Sequence, residues 1–127
     1  MGTVKALDHV NIVTADMAAT RAFFAEVLEL TPGPAAPGLP LSMVTWLHDA
    51  RGHPVVHLGA RDDAHRGATG ALDHVAFECA DEAAVTARLI ARGDRYECRE
   101  FAAAGLRQIF VTEPNGVRLE LNFRSQS

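Results

Sequence analysis

Apolar residues along this chain follow two different periods in turn. Val10 and Ile12, Val56 and Leu58, and Leu119, Leu121 and Phe123 recur at every second position, as strands with one buried face require. Phe23, Phe24, Val27 and Leu28 recur at helical spacing and predict a helix beginning after Asp16. Val85, Leu89 and Ile90 predict a second helix after Asp81, with Gly93 as its stop. Asp16 and Asp81 are the expected N-caps, because a carboxylate there can accept from orphan first-turn amides. Strands are predicted over residues 41–48, 54–59, 95–101, 106–112 and 117–123, with a weak strand or loop in the Pro/Gly-rich stretch 31–40. Glu113-Pro114-Asn115-Gly116 predicts a tight turn, since Pro presets one φ and Asn-Gly tolerates positive φ.

The order of these elements repeats. Leu7-Asp8-His9-Val10 recurs as Leu72-Asp73-His74-Val75, and Ala15-Asp16 recurs as Ala80-Asp81, both at an offset of 65 residues (72 − 7 and 80 − 15). Each half then reads β-α-β-β-β over about 60 residues. The expected organisation is one domain over 1–127, with a first module at about 4–60, a polar linker at 61–70 and a second module at about 71–124. Neither half could bury its sheet alone, so a shared core is expected.

Composition excludes several functions. A net charge of −4 argues against nucleic acid as a partner. No apolar run approaches the ~20 residues of a membrane helix, and the first residues lack a signal-peptide apolar stretch. Cys79 and Cys98 cannot build a disulfide framework, so a cytoplasmic protein is expected. Cys79 is read as buried and inert, and Cys98 as lacking an activating partner. Arg88, Arg92, Arg95 and Arg99 read as a solvated basic edge. Six histidines in so short a chain are the feature that composition leaves unexplained.

Strand alternation sorts the chemistry-bearing side chains by face. His9 and Asn11 oppose Val10 and Ile12; His74 opposes Val75 and Phe77; His57 opposes Val56 and Leu58. Arg118, Glu120 and Asn122 oppose the apolar stripe of the last strand. If the apolar faces pack on the helices, then His9, His57, His74 and Glu120 all lie on the other side of the sheet. A carboxylate between two leucines on a covered face needs a partner, and a cation is the simplest one. Three imidazoles and one carboxylate suit iron, zinc, nickel or manganese better than magnesium or calcium. Asn11, Trp46, Gln108, Phe110, Arg118 and Asn122 are the candidate substrate contacts. Asp8 and Asp73 could orient histidines or cap turns, although alternation directs them away from the metal. His48, His53 and His65 fall at strand ends or in loops, without an assigned role.

The LDHV at 7–10, Phe23-Phe24, LDHVAF at 72–77 and EPNGVRLEL at 113–121 together resemble the vicinal oxygen chelate superfamily. That superfamily includes glyoxalase I, bleomycin-resistance proteins, fosfomycin-resistance transferases, methylmalonyl-CoA epimerase and type I extradiol dioxygenases. The resemblance implies an α+β fold in which two βαβββ modules curl mixed sheets around a central cleft with metal at its base. It carries the metal-ligand role onto His9, His74 and Glu120, and it implies a homodimer, with each site drawn from one chain or from two. Position 57 is the departure, since glyoxalases and epimerases hold Glu or Gln there and extradiol members use no ligand at that place.

Three reactions follow from this. An extradiol-type dioxygenase would use His9, His74 and Glu120 on Fe(II), with His57 beside them as proton acceptor or donor. A glyoxalase- or epimerase-like lyase or isomerase would use His57 as fourth ligand, with Glu120 or another group moving the proton. A bleomycin-resistance-like protein would bind a small molecule without catalysis, but such members usually lack the metal residues. The strands around His57, His74 and Glu120 most resemble small extradiol-like members, and that resemblance favours the extradiol type. The fosfomycin-transferase reading is weaker, because no cluster of Lys and Ser is present to hold a phosphonate and a thiol.

Overall fold

In a computed structural model, which describes residues 2–125, the chain divides into two units between His65 and Arg66. The first unit runs β1 (Val10–Thr14), α1 (Met17–Leu28), β2 (Thr31–Pro34), β3 (Val44–His48) and β4 (Pro54–Ala60). The second runs β5 (Val75–Cys79), α2 (Glu82–Arg92), β6 (Tyr96–Phe101), β7 (Leu106–Thr112) and β8 (Arg118–Arg124). Both sheets have the same strand order, β1-β4-β3-β2 and β5-β8-β7-β6, with one parallel pair and two antiparallel pairs in each. Each unit is therefore one βαβββ module, and the fold is α+β, as expected.

The caps follow the sequence reading. Asp16 accepts from Ala19 N at 3.0 Å and Asp81 from Ala84 N at 3.2 Å. Gly93 ends α2 at φ 77. In the first module Phe23, Phe24 and Val27 of α1 are buried with Ile12, Leu47, Val56 and Leu58 of the strands. In the second, Val85 and Leu89 are buried with Ile109, Val111, Leu119, Leu121 and Phe123. Each fully buried side chain of this size contributes about 1.5–3 kcal/mol by leaving water. These alternating inner positions leave the opposite sheet faces free for His57 and Glu120.

Several expected elements are adjusted. Ile90, expected on the buried stripe of α2, is 62% exposed, because Leu89 already occupies that stripe and the next residue turns about 100° away. Strand β3 starts at Val44 rather than at 41. The amides of Met43 and Val44 donate to Pro40 O at 3.0 and 3.2 Å, which closes a turn before the ladder can begin. The ambiguous stretch after α1 forms a strand, β2, whose two prolines are tolerated because it lies at a sheet edge.

The two cysteines differ in environment. Burial pushes the half-buried Cys79 thiol up to about 11, whereas Cys98 is exposed on β6. Iodoacetamide at pH 8 is expected to modify Cys98 and spare Cys79, of which only roughly one thiol in a thousand is ionised. Peptide mass spectrometry reads the result directly. Equal labelling of both would mean that β5 opens readily.

Candidate metal and substrate site

The strand register sharpens the repeat to single residues. His57 on β4 pairs with Asn11 and Trp46, and Glu120 on β8 pairs with Ala76 and Phe110. His57 and Glu120 are therefore equivalent positions, as are Trp46 and Phe110. His9 and His74 each stand one residue before the first strand of their module rather than inside it.

In the first module three rings stack. Trp46 lies 4.1 Å from His57 and His57 lies 3.6 Å from His9, both at an interplanar angle of 11°. His57 Nε2 is buried and has no hydrogen-bond partner among the described residues. Burial lowers the His57 pKa from its ordinary value, and the neighbouring His9 adds to the effect. His9 Nδ1 donates to Asp8 Oδ2 at 2.6 Å, and that bond holds the Asp8 carboxyl below its usual range. His53 Nε2 in turn donates to Asp8 O at 2.7 Å.

The second module repeats half of this arrangement. His74 Nδ1 donates to Asp73 Oδ2 at 2.8 Å, which lowers the Asp73 pKa in the same way. His74 Nε2 lies 3.5 Å from Glu120 Oε1. Glu120 Oε2 accepts from Asn122 Nδ2 at 3.0 Å, and Asn122 Oδ1 accepts from Gln108 Nε2 at 2.9 Å. Arg118 pairs with Asp73 at 3.5 Å and stands over the Phe110 ring at 4.5 Å, with Arg99 over the same ring at 4.7 Å. Phe110 and Arg118 line an open groove of about 680 Å³ together with Arg95, Tyr96, Glu97 and Thr112.

Of the expected substrate contacts, Arg118 and Phe110 thus border a cavity and Asn11 is exposed on β1. Trp46 packs on His57, and Gln108 and Asn122 are buried against each other. Alternation would direct Asp8 and Asp73 away from the faces of His57 and Glu120, yet each holds the histidine of its own module. It does not apply to them, because Asp8–His9 and Asp73–His74 precede the strands, where neighbouring side chains can meet. The Asp-His dipeptide in both halves carried that signal; the support from His53 had no sequence signal.

Within each unit, among the described residues, metal-ligand side chains form pairs and no group of three or more that could hold an ion. The donors nevertheless fit a divalent metal in their chemistry. A carboxylate on Nδ1 fixes each of His9 and His74 in the tautomer whose Nε2 is free to coordinate, the arrangement that accompanies metal-bound histidine. Glu120, engaged through Oε2, keeps Oε1 beside His74.

Solved structures share this fold. A glyoxalase/dioxygenase from Nostoc punctiforme has a TM-score of 0.76 at 16% identity, over 98% of this chain and 94% of its own. A mutant of the fosfomycin resistance protein FosX from Listeria monocytogenes, complexed with Mn(II) and 1S,2S-dihydroxypropylphosphonic acid, has a TM-score of 0.76 at 18% identity, over 97% and 95% of the two chains. Lactoylglutathione lyase from Agrobacterium tumefaciens has a TM-score of 0.65 at 16% identity, over 96% of each. No curated protein matches the chain. The family model for the Glyoxalase/Bleomycin resistance protein/Dioxygenase superfamily matches residues 6–121, a span that includes both Asp-His pairs, His57 and Glu120, and the chain belongs to that superfamily.

Proposed function

We propose that the chain is a metal-dependent enzyme acting on a small substrate with vicinal oxygens, of the extradiol ring-cleaving type. His9, His74 and Glu120 are the donors to the metal, with Fe(II) favoured over Zn, Ni or Mn. The donors come from the modules of one chain or of two copies in a homodimer. His57 stands outside the donor set and exchanges a proton with the substrate.

The observation that carries this reading is the stack of His9 on His57. Imidazole lone pairs lie in the ring plane, and these planes are 3.6 Å apart at the centroids and 11° from parallel. Such planes do not converge within a metal–nitrogen bond of about 2.0–2.1 Å. One ion could take both nitrogens only after His57 left its place against Trp46. A bound metal would neutralise charge developing on the substrate's vicinal oxygens and ease loss of a hydroxyl proton. The chain's own groups do the rest. Burial favours the neutral form of His57, and its unpartnered Nε2 is the nitrogen that would accept a proton once the substrate reaches it. Asp8 and Asp73 hold the histidine rings, and Arg118, bordering the groove, offers the substrate a cation.

The same unpartnered Nε2 supports a second reading, in which His57 is a fourth donor in a lyase or isomerase. Metal analysis of anaerobically purified protein, followed by oxygen uptake over a panel of catechols, separates the two. His57→Ala is expected to keep its metal and lose about 10²–10⁴-fold in turnover. Loss of metal instead would favour the four-donor site. Metal-dependent activity without oxygen uptake would move the reaction to the lyase or isomerase class.

A further inference from the structure

Gln108 and Asn122 face each other across β7 and β8, each 9% exposed, and the register of the repeat gives both an equivalent in the first module. Two residues from the Phe110–Glu120 pair stands Gln108–Asn122; two residues from Trp46–His57 stands Val44–Gly59. The duplicated framework thus carries an amide pair in the module with the carboxylate and none in the module with the imidazole. There His57 Nε2 is left without a partner among the described residues. The difference needs a cause, since a buried amide pair is costly unless its polar atoms are used.

We infer that Gln108 is a positioning residue that acts through Asn122 to set which oxygen of Glu120 is available. The inference rests on the proposed role of Glu120 as a metal donor. A carboxylate only accepts, so Asn122 must turn its Nδ2 toward Glu120 Oε2, at 3.0 Å. Its Oδ1 then points back and needs a donor, which Gln108 Nε2 supplies at 2.9 Å. Reversing the Asn122 amide would set oxygen against carboxylate on one side and NH₂ against NH₂ on the other. Gln108 therefore supplies the donor that this Asn122 orientation requires, Asn122 occupies Oε2, and Oε1 remains free at 3.5 Å from His74 Nε2. The result is a carboxylate prepared to bind through one oxygen.

The polarity of the relay provides its test. Gln108→Glu removes the donor and adds acceptors that compete with Glu120 for Asn122 Nδ2, so the amide is no longer held to Glu120. Gln108→Met removes the donor without adding an acceptor and serves as the packing control. In metal-stripped full-length protein titrated with Mn(II), Gln108→Glu is expected to weaken binding about 10–100-fold, the usual effect of disturbing a ligand's support. Gln108→Met is expected to weaken it less, at a Tm close to that of Gln108→Glu. Unchanged Mn(II) affinity in Gln108→Glu, or equal losses in both variants, overturns the inference. A second measurement needs no metal. The Asn122 side-chain amide resonances are expected to move on Glu120→Ala in the wild-type background and to move less in the Gln108→Glu background. Equal movement in both backgrounds overturns the relay. Absence of Mn(II) binding by wild-type protein removes the metal reading alone, and the resonances then decide the relay.

Discussion

Gly116→Ala is expected to cost about 2–5 kcal/mol in stability, enough to move a urea midpoint well outside error while leaving the m-value unchanged. Gly116 closes the turn between β7 and β8 at φ 96, a conformation that L side chains rarely adopt and that costs about 1–2 kcal/mol with a Cβ. The larger part is steric. A Cβ there would meet Gly67 O, and would lie 2.5 Å from both Gly67 Cα and Gly67 N. These are backbone atoms that no rotamer change can move aside, and overpacking of this kind costs about 1–3 kcal/mol more. The close approach is held from both sides. Gly67 N donates to Asn115 O at 2.9 Å, and Arg66 Nε donates to Pro114 O at 3.1 Å. Beneath the turn the Glu113 carboxylate, 2% exposed, accepts from Asn115 N, Val117 N and Asn115 Nδ2 at 2.8, 2.9 and 2.8 Å. The turn is therefore rigid and cannot absorb a methyl group by drifting. A loss below about 1 kcal/mol would mean that the 66–67 segment lifts away at little cost. The same turn sets the β7–β8 register on which Phe110 and Glu120 depend.

Glu120→Ala is expected to abolish stoichiometric metal binding and to reduce activity at least about a thousandfold, while the protein remains folded. Glu120 is the carboxylate of the proposed donor set, and losing a donor removes several kcal/mol of charge stabilisation in the reaction. The side chain is 15% exposed, is held by Asn122 and lies beside His74, so its removal leaves a polar gap that water can enter. The effect on Tm should accordingly be small compared with that of Gly116→Ala. Elemental analysis of purified protein and thermal unfolding separate the two effects. Full metal content in Glu120→Ala would remove this residue from the donor set.

Much of this architecture could be read from particular residues. The LDHV repeat and the Asp16 and Asp81 caps located both modules, because a first-turn carboxylate and a period-2 stripe act over only a few residues. Alternation on β8 separated Leu119, Leu121 and Phe123 from Glu120 and Asn122, since any half-buried strand must obey it. Alternation failed at Asp8 and Asp73 because it holds only within a strand, and both lie before one. It also could not divide the residues of one face among roles. Gln108, Asn122, Phe110 and Arg118 share a face, yet two are locked together and two border a groove.

The sequence by itself determined the duplication, the order of elements in each half, and the residue types that can bind metal. These depend on period and local chemistry, which the linear chain states openly. The tertiary structure alone decided that His57 stacks between Trp46 and His9, and that a hydrogen-bonded amide pair stands behind Glu120 but not behind His57. Those outcomes depend on cross-strand register and side-chain direction. Register is fixed only when distant strands pair, so no stretch of sequence contains it.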